Sequence, residues 1–374
     1  MIFDISDFQF KMIFFNKKFH LPIRWDNKDF FITLKELLDS YLEAVQQECS
    51  KKNAGDSHPV TRADITELKK INKTLLESLE NYLNGFPAQA FKSFERLMKR
   101  LERTPLKTYA KSVDEQLQTP YYKDPLNLYR VTYVNENIPY GRERVFHTPY
   151  FLRSKVSTSR YSIAGFPSLY LGTSLELCCE EVNVNPYEQF ALASRFQLER
   201  NFRYNNTEIK VIELAIKPQD FISENIEHDM NIHGNSRVVG EVLLRKSELR
   251  SAYLLWYPLI AACSFIRADK KSPFSAEYII PQLLMQWIRT EISTPKKEFN
   301  RLIGIRYFSC ASIKASNMGF NYVFPASGKK THNSFCPTLV NSFKLTKPYF
   351  LHEFSDIYSC EQALKHDRKL SYIL

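Results

Sequence analysis

Glycine is scarce, with 10 residues in a chain of 374. That excludes a Gly-rich repeat architecture. No G-x-G-x-x-G, P-loop or G-x-S-x-G pattern occurs, which removes the common dinucleotide, phosphate-loop and nucleophile-elbow signatures. Cysteine is present but never as C-x-x-C. Cys49, Cys178, Cys179, Cys263, Cys310, Cys336 and Cys360 form an odd set with no zinc or redox spacing, so reduced and mostly buried thiols are expected. No apolar run is long enough to span a bilayer. The N-terminus, M-I-F-D-I-S-D-F-Q-F, has early acids and no basic stretch before an apolar core. No signal peptide is therefore expected, and a cytoplasmic location without membrane association is. The formal net charge is +10, yet no Lys/Arg block is dense enough for a nucleic-acid arm, so nucleic acid ranks last among partners.

What is present is a large apolar and aromatic stock: 44% hydrophobic residues, with 28 Phe and 21 Tyr. This supplies a sizeable core and excludes global disorder. The length suits two domains. Residues 1–25 alternate apolar and polar positions (Phe8, Phe10, Ile13, Phe15) and predict one or two strands. An amphipathic helix is expected over Leu34–Cys49 and a loop over 50–60. A second helix, capped by Asp64, should stop at Gly85, and a third should cover Ala88–Leu101. The first domain is thus a mainly helical accessory or regulatory domain, 1–125, with its boundary in the weakly periodic stretch 105–125.

Composition then changes. Strands are expected at Leu128–Val134, Phe166–Leu171, Ala191–Phe196, Lys210–Ile216, Arg301–Ser309 and 340–350. Helices are expected at Leu254–Ile266 and Pro281–Thr290. The second domain, 126–350, reads as α+β, followed by a C-terminal tail, 351–374, that ends in a helix. Within it, R-Y-S-I-A-G-F-P-S-L-Y-L-G-T-S-L-E-L-C-C-E-E (160–181) forms one compact unit. A loop arginine leads into a short strand, Gly172 breaks it, and Thr173 with Glu176 fits a capping box for a short helix. That helix ends on Glu180 and Glu181. Adjacent helical residues point about 100° apart, so one of the two acids faces solvent.

Four stretches carry a recognisable pattern in order: Y-R-V-T-Y (129–133), F-H-T-P-Y (146–150) leading into the 160–172 segment, the acids at 180 and 181, and G-I-R-Y-F-S (304–309). A-E-Y-I-I-P-Q-L-L (276–284) adds to it. Together they resemble the RES domain family over roughly 126–350. The resemblance implies an ADP-ribosyltransferase-like fold preceded here by the helical domain. It also implies a bacterial toxin or defence effector that consumes NAD+ as substrate, either with water or with inorganic phosphate as co-substrate, and without a metal. On this resemblance the arginines fall on Arg130 and Arg160, the glutamate on Glu181 with Glu180 as alternate, and the serine on Ser309. Tyr161 and Tyr170 become candidate pocket walls. An antitoxin or regulatory protein and a homo-oligomer are the implied partners.

The chemistry agrees with those residue types. A planar guanidinium matches a pyrophosphate in bidentate, charge-assisted bonds. Breaking the ribosyl–nicotinamide bond develops an oxocarbenium-like sugar, as in glycoside hydrolysis. The leaving group departs neutral, so one carboxylate suffices without a general acid. Ser309 is expected to hydrogen-bond ribose, phosphate or the nicotinamide amide, and Arg130 is the second cation for a phosphate acceptor. ADP-ribosyl transfer to a macromolecule, or a silent nucleotide- or partner-binding module, remain the alternatives. His147 reads as a packed turn residue rather than a base. His228 and His233 have ligand-like spacing but no supporting motif for a metal.

Overall fold

The computed structural model describes residues 7–26, 28–51, 62–102, 127–185, 188–198, 209–221, 247–269, 271–293, 301–326 and 335–373. Residues 52–60 of the expected loop, the whole boundary stretch at 105–125, and His228 and His233 lie outside the described residues. The fold is α+β: helices first, then a sheet.

Four helices open the chain: α1 (Asp7–Phe14), α2 (Phe30–Ser50), α3 (Arg62–Leu83) and α4 (Pro87–Leu101). The first corrects the strand expected in 1–25. Phe10, Ile13 and Phe14 are buried at i, i+3 and i+4, a helical stripe, while Phe15 is exposed. Apolar positions 8, 10, 13 and 15 had matched an alternating pattern only over four points. Asp64 lies inside the first turn of α3 rather than at its cap. That helix does stop at Gly85, where Gly85 N–H donates to Tyr82 O and Phe86 N–H to Asn81 O.

The remaining elements are β1 (Asn127–Tyr133), β2 (Ser168–Gly172), α5 (Leu175–Val182), β3 (Ala191–Leu198), β4 (Ile209–Leu214), α6 (Ser247–Ala262), α7 (Ile279–Ser293), β5 (Arg301–Phe308), β6 (Phe320–Pro325), α8 (Pro337–Ser342), β7 (Phe343–Leu345), β8 (Tyr349–Phe350) and α9 (Ile357–His366). Two compact units result. One comprises 1–110 with Glu213–Trp287, the other 111–212 with Ile288–Leu374. The division is therefore discontinuous, whereas the sequence suggested a linear one. The reason is visible in the aromatic core of the first unit. Tyr257 Oη donates to Phe19 O, Tyr41 Oη to Leu254 O and Tyr253 Oη to Ile216 O, and the Tyr41 and Tyr257 rings lie 4.3 Å apart. Helix α6 is nearly all apolar and needs cover on every side; α1, α2 and α3 pack against it or its neighbours. Among the described residues no helix is long and apolar enough to cross a membrane.

The second unit is built on one sheet of order β4-β5-β6-β2-β1-β3-β7, with β8 also on β3. The registered pairs are antiparallel. Seven residue pairs join β1 to β3, but β1 meets β2 in register only at Tyr129↔Gly172. The sheet thus has a thin seam between β2 and β1. Alternation along the strands puts Tyr129, Gly172, Asn321 and Tyr307 on one face and Arg306, Tyr322 and Leu171 on the other. Helices α5 and α9 pack on the first face through Tyr129, Val131, Leu175, Cys178, Cys360 and Leu364.

Gly319 fixes the turn into β6. Its φ is +137°, and a Cβ there would lie 2.3 Å from Thr173 Oγ1. A side chain would meet both backbone strain and a steric clash. Gly319→Ala is expected to cost at least about 1 kcal/mol, read as a lower urea midpoint.

Candidate functional site

The 160–181 unit begins in a tight, self-bonded loop. Ser159 N–H donates to Ser162 Oγ at 2.9 Å, and that hydroxyl returns to Ser159 O at 2.8 Å. Gly165, at φ +65°, turns the chain so that Ile163 and Phe166 bridge. Arg160 and Tyr161 sit at the apex of this loop and are buried, with 8% and 1% of their surfaces exposed. The Tyr170 hydroxyl donates to Tyr161 O, so the Ser159 hydroxyl donates to it at 2.6 Å. The loop is thereby tied to β2.

Helix α5 starts one residue later than its expected cap. Ser174, not Thr173, is the N-cap: its Oγ accepts from Leu177 N–H at 3.2 Å and donates to Met318 O at 3.0 Å. Thr173 is held instead by β6. Its N–H donates to Phe320 O, and its Oγ1 accepts from Phe320 N–H at 2.9 Å. The β2–β6 ladder thus runs one residue beyond the strand, so the capping role passes to the next hydroxyl.

The far end of α5 carries the acids. Glu180 and Glu181 are both exposed, and Val182 is followed by Asn183 in the left-handed region, φ 52°. The last turn has no basic residue. Two carboxylates there stand at the negative end of the helix dipole, an arrangement that opposes stability by about 0.3–1 kcal/mol each. Their surroundings differ. Glu180 lies 3.9 Å from Lys314 on the surface. Glu181 Oε1 accepts from Asn321 Nδ2 at 2.6 Å, and Asn321 is buried in β6. Glu181 is therefore the fixed acid and Glu180 the solvated one.

Tyr307, at the end of β5, ties these pieces together. Its ring lies 4.6 Å from Tyr161. Its phenol is raised well above the ordinary range, chiefly by burial; Glu181 and Tyr170 push it further, and Arg160 opposes them. The Cys310 thiol behaves alike. Burial pushes it up to about 11, with Arg160 pulling down and Glu181 pushing up. Both groups feel both charges. Geometry links the same pieces: Tyr161 lies on Tyr307 and accepts from Tyr170, and Tyr307 stands opposite Asn321, which holds Glu181.

Arg130 and Ser309 are placed differently. Arg130 is half-buried on β1, where alternation directs it to the face opposite Tyr129, and its Nη1 donates to Tyr170 O at 3.3 Å. It fills the seam where β1 and β2 stop pairing. Its Nε is buried with no hydrogen-bond partner, and burial lowers its pKa to about 10, which leaves it cationic at neutral pH. Ser309 is wholly buried just past β5, and its Oγ accepts from Ala311 N–H at 3.1 Å. It closes the turn carrying Cys310. Arg306, one position from Tyr307, points to the other face and covers the Phe320 ring at 4.0 Å. His147 is fully buried and doubly bonded: Nδ1 faces Thr148 O at 2.8 Å and Nε2 accepts from Cys336 N–H at 2.9 Å. That fixes a neutral ring with its proton on Nδ1, as the packed-turn reading required.

Sequence reasoning missed Asn321 and Tyr307. Tyr307 lay inside the G-I-R-Y-F-S stretch without a role. Asn321 had one available signal, a lone amide in the apolar strand F-N-Y-V-F-P.

No family model matches the chain, and no solved structure matches it. The chain is 25% identical over 340 residues to a Bacillus subtilis (strain 168) protein named "Putative toxin YopC", an alignment covering 88% of this chain and 68% of that protein.

Two outcomes follow from these placements. Burial lowers His147 to about 4, below the 6.5 of an unfolded histidine. The unfolded chain therefore binds the extra proton, and stability falls as pH drops from about 6.5 toward 4. About 2 kcal/mol should be lost between pH 7.5 and pH 5 through this group. Urea midpoints of wild type and His147→Gln, compared across that range, should show a smaller acid loss in the variant. Arg130→Met should remove the cost of an incompletely bonded buried cation. Its melting temperature is expected to equal or exceed that of wild type, the mark of a residue kept for something other than stability.

Proposed function

We propose that the protein is a toxin-type enzyme that consumes NAD+ by cleaving the nicotinamide–ribose bond, through phosphorolysis or hydrolysis, as the RES-domain resemblance implies. The observation that carries this reading is the Tyr307↔Asn321 register pair of β5 and β6: Asn321 holds Glu181 at 2.6 Å, and the ring of Tyr161, the neighbour of Arg160, lies 4.6 Å from that of Tyr307. The likeness to a protein named as a toxin supports the biological setting. A cytoplasmic site of action belongs to the same proposal, because that is where NAD+ would be met. An antitoxin or regulatory partner and self-association belong to it too.

In this reading Glu181 stabilises the ribosyl cation, with Asn321 holding the carboxylate by its Oε1 and leaving Oε2 for the sugar. Nicotinamide leaves neutral with the bonding electron pair, and water or phosphate attacks the anomeric carbon. Arg160 binds the pyrophosphate. Arg130 alternates to the sheet face opposite Asn321 and donates to Tyr170 O at the seam, so its part in this reading is to hold β2 rather than to meet the reacting sugar beside Glu181. Tyr161 and Tyr170 serve as walls and as the frame of the loop. Ser309 serves by holding the turn after β5. ADP-ribosyl transfer to a macromolecule is the second reading. It is favoured by one feature, the exposure of Glu180 and Glu181, which leaves room for a large acceptor.

The test is NAD+ turnover by the purified chain, with and without phosphate, products read by mass spectrometry. Wild type should consume NAD+, and Glu181→Gln and Arg160→Ala should each lose at least about 10²-fold. ADP-ribose-1″-phosphate marks a phosphorylase and free ADP-ribose a hydrolase. ADP-ribose attached to an extract protein marks a transferase. A Glu181→Gln rate equal to wild type, or no NAD+ consumption in any condition, overturns the reading.

A further inference from the structure

Helix α5 is anchored at both ends by residues distant in sequence. At its last turn Asn321 holds Glu181. At its first residue the Leu175 N–H donates to Glu361 Oε2 at 2.9 Å. Glu361 lies on α9, in the segment the sequence presented as a tail. Its side chain is 15% exposed, and its other oxygen pairs with Lys365 Nζ at 2.9 Å. Ser174 satisfies the Leu177 N–H, so two otherwise orphaned donors of the helix start have partners from different parts of the chain. A carboxylate at the N-terminus is also on the favourable end of the dipole. Cys360 and Leu364, its neighbours on α9, lie in the same core cluster as Leu175, Cys178 and Cys179.

We propose that Glu361 is a positioning residue for Glu181: by capping α5 from α9, it fixes the angle at which the helix presents the acid. This rests on the reading of Glu181 given above. Geometry gives the scale. An eight-residue helix is about 12 Å long, so a tilt of about 5° at its first turn moves its last turn by about 1 Å. A displacement of that size in a reacting group is enough to cost about 10²-fold in rate. The short helix has only two turns to resist such a tilt, and Asn321 restrains one carboxylate oxygen rather than the helix axis.

The experiment uses the full chain with Glu361→Ala, Glu361→Gln and Lys365→Ala. Two quantities are read: kcat and KM for NAD+, and the side-chain amide resonance of Asn321 by NMR, with Glu181→Ala as the reference for a broken Asn321–Glu181 bond. Glu361→Ala should lower kcat by at least about tenfold with KM within about twofold. It should also move the Asn321 resonance toward its position in Glu181→Ala. Glu361→Gln keeps an acceptor for the Leu175 N–H and should restore kcat to within about threefold of wild type. Lys365→Ala removes only the ion pair and should match wild type. An Asn321 resonance unmoved in Glu361→Ala overturns the proposal, whether or not the melting temperature falls. So does a Glu361→Gln protein as slow as Glu361→Ala. If wild type consumes no NAD+, the functional reading fails, and the resonance alone decides whether Glu361 positions Glu181.

Discussion

The β2–β6 register is the constraint on which the site depends. Gly172 stands opposite Asn321, and the ladder continues one step further through the Thr173 backbone and hydroxyl on Phe320. That extra step decides where α5 can begin, because Thr173 is no longer available as a cap. It also decides where α5 ends, eight residues on, with Glu181 over Asn321. A slip of one residue would turn Asn321 to the other face and leave Glu181 without its donor. Gly172 and Gly319 permit this register by close approach. A Cβ on Gly172 would meet Cys178 Sγ at 2.7 Å, and one on Gly319 would meet Thr173 Oγ1.

Several features of the second unit run against stability, and most lie near the candidate site. Arg130 is held in a seam with an unbonded Nε. Two acids occupy the negative end of α5 with no basic residue in that turn. Each costs on the order of 1 kcal/mol in a domain whose whole margin is 5–15 kcal/mol. A buried cation can be accommodated by packing, as Arg306 is over the Phe320 ring at 4.0 Å. His147 shows the same for an imidazole, with both ring nitrogens engaged.

Much of this was legible in the sequence wherever one local rule governed. The strand at 127–133 and the helices at 30–50 and 87–101 fall close to where periodicity and breakers place them. The α+β class follows from the change in pattern near 126. What was not legible depended on long-range pairing. The 7–14 segment has too few points to separate a period of 2 from 3.6, and its aromatic partners Tyr253 and Tyr257 lie over two hundred residues away. The transfer of the cap from Thr173 to Ser174 required knowing that β6 runs alongside. Asn321 acquires a role only once Gly172 is opposite it. The discontinuous first unit has the same origin, since α6 looks like any apolar helix until its tyrosines are seen bonding to Phe19 and Ile216.

The C-terminal segment makes the same point about how the site is assembled. Residues 351–374 carry charge and little periodicity, which is why they read as an appendage. Yet Arg142 Nε donates to Leu345 O and its Nη2 to Lys369 O, Arg195 Nη2 donates to Asp367 O, and Ser371 bridges Leu345. Two arginines from the middle of the chain are thus spent on the backbone of its end. Such bonds carry no sequence signature, because a carbonyl belongs to any residue. They hold the chain just past α9, whose Cys360 and Leu364 pack with Leu175 and Cys178 of α5, and Glu361 needs that placement to reach the Leu175 N–H. Helix α5 is therefore held by three separated segments, with the turn at 318 and α9 at its start and β6 at its acid end, and the geometry of Glu181 belongs to the whole second unit rather than to the 160–181 stretch alone.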